Sequence, residues 1–148
     1  MPTLHILAGL PGAGKTTLAR KLEMDEHALR LTPDEWMARI VGDGWDDKRR
    51  AAVEATMWEI AARVLTLGIS VVLDFGFWTR AERDDFRARA QALGADARVH
   101  FCDVPYTELV RRLEARNANL PPDTFAVTAK DLDEMIPHFE RPTVDELG

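Results

Sequence analysis

The segment Gly9-Leu10-Pro11-Gly12-Ala13-Gly14-Lys15-Thr16-Thr17 carries the strongest chemical signal in the chain, because it satisfies G-x-x-x-x-G-K-[ST]. Glycines at these positions let successive backbone N–H groups converge on phosphate oxygens. The helix that should follow adds unsatisfied donors and a partial positive charge at its N-terminus. The pattern therefore expects Gly9, Gly12, Ala13, Gly14, Lys15, Thr16 and Thr17 to line a phosphate cradle. Lys15 would bridge the β- and γ-phosphates and the Thr16 hydroxyl would ligate Mg²⁺. The competing account is a glycine-rich turn that merely caps a helix. At average glycine usage of ~7%, a chance match in a chain this long has odds on the order of one in a few hundred.

Acidic residues near strand ends are the next candidates, since ligands of open α/β sheets bind at the carboxyl ends of the strands. Asp74 ends the apolar run Ile69–Leu73, a position from which a carboxylate reaches Mg²⁺ beside the cradle threonine. Asp34 lies in Thr32-Pro33-Asp34-Glu35, where a capping box needs only Thr32 and Glu35 and leaves the Asp34 side chain free to face a cleft. Asp103, before Val104-Pro105, is expected to cap the next helix. Among Arg111, Arg112 and Arg116, the first two suit a helix surface, with Glu108 and Arg112 spaced as an i,i+4 pair. Arg116 lies closest to the following loop and is the candidate for charge neutralisation at a phosphoryl group. Trp58 fits the core, while Trp36 and Trp78 fit either core or pocket wall. The four histidines show no ligand spacing.

These residues need elements to position them. Leu4–Ala8 reads as a buried strand stopping at Gly9, with a helix from about Lys15 to Met24. Ala28–Leu31 is a strand end feeding a helix at Pro33. From Asp47, apolar residues recur at helical period through Val53, Met57, Ile60, Ala61, Val64 and Leu65, and Gly68 closes that helix. Ile69–Leu73 is a strand covered on both faces. Thr79-Arg80-Ala81-Glu82 is a capping box opening a helix that Gly94 ends. Arg98–Val104 reads as a strand and Tyr106–Asn117 as a helix. Asn117–Val127 is a loop of functional length, and Thr128 caps a last short helix. Strands alternating with helices predict an α/β sandwich with a mostly parallel sheet and right-handed crossovers.

The chain has 148 residues, suited to one domain over 1–148. Its net charge of −6 lacks the basic excess of a protein that grips nucleic acid through phosphates, so a nucleic-acid partner is not expected. One cysteine, Cys102, excludes an internal disulfide and suits a reducing compartment, the cytoplasm by default. No apolar run approaches the ~20 residues of a membrane span. Oligomeric state is not encoded in any motif.

Taken together, the chain resembles the P-loop phosphotransferases of the AAA_33 type, relatives of polynucleotide 5′-kinase domains, chloramphenicol phosphotransferase and zeta toxins. The resemblance rests on GLPGAGKTT at Gly9–Thr17, the pair Asp34-Glu35, VVLDFGFW at Val71–Trp78 followed by Arg80 and Arg83, and RLEARN at Arg112–Asn117. It implies a P-loop NTPase three-layer sandwich with four to five strands and a lid over about 112–127. It also implies ATP and Mg²⁺ as cofactors, Asp34 as the base for an acceptor hydroxyl and Arg116 as the lid arginine. Polynucleotide kinases usually carry a further arginine soon after R-N, where this chain has Ala118-Asn119-Leu120, and another after the acidic pair, where it has Trp36-Met37. Both differences favour a small-molecule acceptor. The segment Phe139–Val144 is what remains for a closing strand. The expectation is an ATP-dependent kinase acting on a small-molecule hydroxyl. The alternatives are a polynucleotide 5′-hydroxyl kinase and a protein that binds or hydrolyses nucleotide without transfer. N-K-x-D is absent and D-x-x-G does not follow the third strand, which argues against a GTPase.

Overall fold

The computed structural model describes residues 1–147 as a parallel four-stranded sheet in the order β2-β3-β1-β4, with helices on both faces. Strand β1 (Thr3–Ala8) runs into the glycine loop and α1 (Lys15–Asp25), followed by β2 (Leu29–Leu31) and the short α2 (Pro33–Trp36). That helix widens into a π turn over Met37–Val41, which Gly42 terminates at φ 81°. Then follow α3 (Asp47–Thr66), β3 (Val71–Gly76), α4 (Arg80–Ala92), β4 (Asp96–Phe101), α5 (Tyr106–Ala118) and α6 (Ala129–Met135). A 3₁₀ turn at Ile136–His138 and α7 (Val144–Leu147) complete the described residues. No helix among them is long and apolar enough to cross a membrane.

Side-chain alternation along β1 explains the three layers. Leu4, Ile6 and Ala8 face one way and pack with Met57, Ala61 and Leu65 of α3 and Phe86 and Ala90 of α4. Leu7 faces the other way and packs with Val72 and Ala19 of α1. A central strand buried on both faces reads as a nearly continuous apolar run, which is why Leu4–Ala8 is recognisable. Trp58 joins the first core, edge-on to Phe86 with centroids 5.4 Å apart, and Trp36 packs against the same core.

Several expectations are corrected, some because a side chain found a better partner and others because the strand pairing sets different ends. Thr32 occupies the N-cap of α2 without a side-chain cap. Its hydroxyl accepts from Arg30 at 2.7 Å and donates to Asp74 at 3.2 Å, while Glu35 pairs with Arg30. The expected capping box is therefore absent there. Strand β3 extends past Asp74 to Gly76, because β1 continues to pair with it up to Ala8↔Gly76. Asp103 does not cap α5, whose N-cap is Pro105; its carboxylate accepts from Arg141 at 2.8 Å. Strand β4 starts and stops earlier than expected, at Asp96 and Phe101. Phe139–Val144 forms no strand, so the sheet has four strands, the lower of the two counts expected, and Phe139 stacks beside Phe101 with centroids 5.8 Å apart. Thr79 accepts from Glu82 N as a cap should, but the Glu82 carboxylate makes no return bond, so the expected box there is only half formed, whereas Thr128 with Asp131 completes a full capping box.

Candidate active site

Parallel strands with β1 in the middle deliver the glycine loop, Asp74 and Thr32 to one end of the sheet. There a cavity of about 800 Å³ opens between the loop, α3, the start of α4 and residues 121–127. Gly12 and Gly14 take φ of 84° and 90°, values that L side chains rarely adopt. A Cβ on Gly12 would also press on Leu113 of α5 at 3.1 Å. Gly9 N donates to the Gly76 carbonyl at 3.1 Å, tying the loop to the end of β3.

Thr16 and Asp74 meet directly. The Thr16 Oγ1 donates to Asp74 Oδ2 at 2.7 Å, and Thr32 Oγ1 donates to the same oxygen. Burial pushes the Asp74 carboxyl above its ordinary range, against the pull of Lys15 and the two hydroxyls. Lys15 Nζ donates to the Leu10 carbonyl at 3.1 Å, folded back on its own loop. Burial lowers its pKa, opposed first by the Asp74 charge.

Across the cavity stands Asp34, with 47% of its side chain exposed. It is held there by Arg50 of α3, whose Nη2 donates to Asp34 Oδ1 at 2.7 Å and to the Gly44 carbonyl at 3.0 Å. Sequence reasoning left Asp34 free and missed Arg50. Glu54 and Glu82 line the same wall and were also missed. Burial, then the charge of Glu82, pushes the Glu54 carboxyl up to about 7.

The segment after α5 covers the cavity. Arg116 Nη2 donates to the Phe125 carbonyl at 3.4 Å, and its buried Nε has no partner among the described residues. Burial lowers the Arg116 pKa, with the Asp34 charge opposing. Asn117 donates to the Val127 carbonyl at 2.8 Å and accepts from Val127 N at 3.3 Å, closing the base of the loop. Arg39 reaches Asp123 at 2.5 Å, and Phe125 lies so close over Gly44 that a Cβ there would stand 2.4 Å from its ring. Arg111 pairs with Glu108 and turns away from the cavity, whereas Arg112 pairs with Glu108 and reaches the Gly12 carbonyl at 3.4 Å. Trp78 lines the cavity wall.

Residues 4–142 match the AAA_33 family, described as an AAA domain. The chain belongs to the AAA_33 family. No curated protein matches it significantly. Among solved structures, this AAA_33 chain is similar to a candidate kinase from Chloroflexus aurantiacus j-10-fl, at 22% identity and TM-score 0.75, covering 99% of this chain and 84% of that one. It is also similar to the Mycobacterium tuberculosis APS kinase CysC, solved with AMPPNP and APS, at 21% identity, TM-score 0.62, and 93% and 96% coverage. A chain of the Pnkp1/Rnl/Hen1 RNA repair complex matches at 24% identity and TM-score 0.72, over 93% of this chain but 43% of its own length. At these identities the likeness establishes the shared P-loop kinase-like fold.

Proposed function

We propose that this AAA_33 protein is an ATP-dependent kinase that transfers a γ-phosphoryl group to a hydroxyl of a small molecule. The observation that carries the proposal is the presence, in one cavity, of a phosphate cradle with Thr16 bonded to Asp74 and a second carboxylate, Asp34, held opposite it by Arg50. The relatives' kinase descriptions agree with it.

The residues present fit ATP and Mg²⁺. The loop glycines leave room for close backbone approach, the unpartnered Arg116 Nε is a buried donor, and the hydroxyl and carboxylate of Thr16 and Asp74 are hard oxygen donors. Thr16 and Asp74 would hold Mg²⁺, which when bound neutralises charge on the phosphate oxygens. Lys15 exchanges the Leu10 carbonyl for phosphate oxygens, and Arg116 offers its free N–H to the transferring group. Asp34 keeps Oδ1 on Arg50 and presents Oδ2 to the acceptor hydroxyl, orienting it in line and taking its proton as the new O–P bond forms and the bridging oxygen leaves. The lid segment shields the site from water. The acidic residues on the acceptor side disfavour a polyanionic acceptor, and the single cysteine suits a cytoplasmic setting.

Labelled phosphate transfer from ATP into nucleosides, sugars, hydroxylated antibiotics and oligonucleotides identifies an acceptor. With it, Asp34→Asn should retain ATP affinity within about twofold and lose transfer by ~10²–10⁴. Transfer at the parent rate in Asp34→Asn, alongside an inactive Asp74→Asn, would show that Asp34 is not the base.

A further inference from the structure

Two carboxylates on the acceptor wall decline the partners their own helices offer. Asp47, Arg50 and Glu54 fall on one face of α3, and Arg50, four residues before Glu54, is its natural ion-pair partner. The Arg50 guanidinium instead serves Asp34 and the Gly44 carbonyl. Glu82 stands third in α4, where a capping box would return its carboxylate to the Thr79 N–H. Thr79 accepts from Glu82 N at 3.1 Å, yet the carboxylate makes no return bond. Neither Glu54 nor Glu82 has a side-chain hydrogen bond or ion pair among the described residues, and both line the cavity with Trp45 and Trp78.

We infer that Glu54 and Glu82 are specificity determinants that receive a protonated amine carried by the same small molecule as the acceptor hydroxyl. The inference rests on the kinase reading above and adds the acceptor's chemical class. Like charges at one wall are costly in a partly buried site, and burial pushes both carboxyls upward. An ammonium group bonds to carboxylates and offsets that repulsion, and the aromatic walls give it further attraction. A neutral polyol can donate hydroxyls to the pair but leaves the repulsion in place. A phosphate or carboxylate on the acceptor would add to it. Asp34 is already paired with Arg50, so the unpaired carboxylates on this side are Glu54, Glu82 and, one turn before Arg50, Asp47.

The test compares acceptors matched except for the amine: glucosamine with glucose, and serinol with glycerol, with glucose 6-phosphate as the anionic control. Labelled transfer gives kcat/KM for each. The expected result is an amine advantage of about tenfold or more within at least one pair and no transfer to glucose 6-phosphate, and in the double variant Glu54→Gln, Glu82→Gln the advantage falls to about twofold or less. Should the double variant fail to fold, the order of acceptors in the parent protein and the single Glu82→Gln variant decide the matter. Equal or better use of glucose and glycerol, or an amine advantage that survives the double substitution, overturns the inference and leaves the kinase reading standing. A protein that binds ATP but transfers to none of these overturns the inference, and ATP hydrolysis without transfer to any acceptor of the wider panel overturns the kinase reading as well.

Discussion

Arg50 and Asp34 come from different helices, and neither is informative alone; together they fix one oxygen of a carboxylate that lines the cavity and leave its other oxygen without a hydrogen bond among the described residues. Glu54, one turn on from Arg50, carries a measurable consequence. Its carboxyl is pushed up to about 7 from an ordinary 4.5. Between those values the folded protein holds a proton that the unfolded chain has released, so stability falls as pH rises through that window. Glu54→Gln removes this penalty. The full shift would correspond to about 3 kcal/mol, and solvent screening of this partly exposed side chain reduces that to on the order of 1 kcal/mol, so the variant's Tm should exceed the parent's by about 2–4 °C at pH 8, with the gap closing towards pH 4.5. A pH-independent gap in thermal melts would contradict the assignment. The residues legible in the sequence were those a local pattern constrains: Lys15 and Thr16 within the glycine motif, and Asp74 after a β-branched run. Arg50, Glu54 and Glu82 were not, because their meaning depends on where α3 and α4 lie against the loop, which no local spacing encodes.

Elements were legible where apolar period and caps agreed, as in β1, α3 and α6, and their edges failed where a distant partner won. Thr32 was taken by Arg30 and Asp74, and Asp103 by Arg141. The C-terminal segment is the clearest case. The stretch left for a strand, Phe139–Val144, forms none, and α7, which begins at its last residue, inserts Glu146 beside Arg83 of α4, at 2.7 Å with both side chains fully buried. Arg83 also donates to the Phe77 carbonyl at 2.8 Å, and Glu146 accepts from Thr143 N at 2.8 Å. Removing one partner leaves a buried charge unpaired, at a cost of about 3–5 kcal/mol. Glu146→Ala should therefore lower Tm by about 6–20 °C in calorimetry. A loss below about 2 °C would mean that α7 is not clasped in this way.

At the scale of the molecule, the order β2-β3-β1-β4 brings the glycine loop, Asp74 and the acidic residues of α3 and α4 to one end of the sheet, beside the segment that follows Arg116. That architecture followed from the strand–helix alternation, and the α/β class with its parallel sheet was legible for that reason. The choice between four strands and five was left open by the sequence, because pairing of a terminal segment depends on competition with side-chain anchors such as Arg83 and Arg141. The central claim is that this cavity moves a phosphoryl group from ATP to a hydroxyl. Incubating the protein with γ-labelled ATP, Mg²⁺ and the acceptor panel, in parallel with Lys15→Met, tests it most directly. The account predicts a labelled phosphate ester with the parent protein and none with Lys15→Met. Label appearing only as inorganic phosphate, at a rate unchanged by any acceptor, would contradict it.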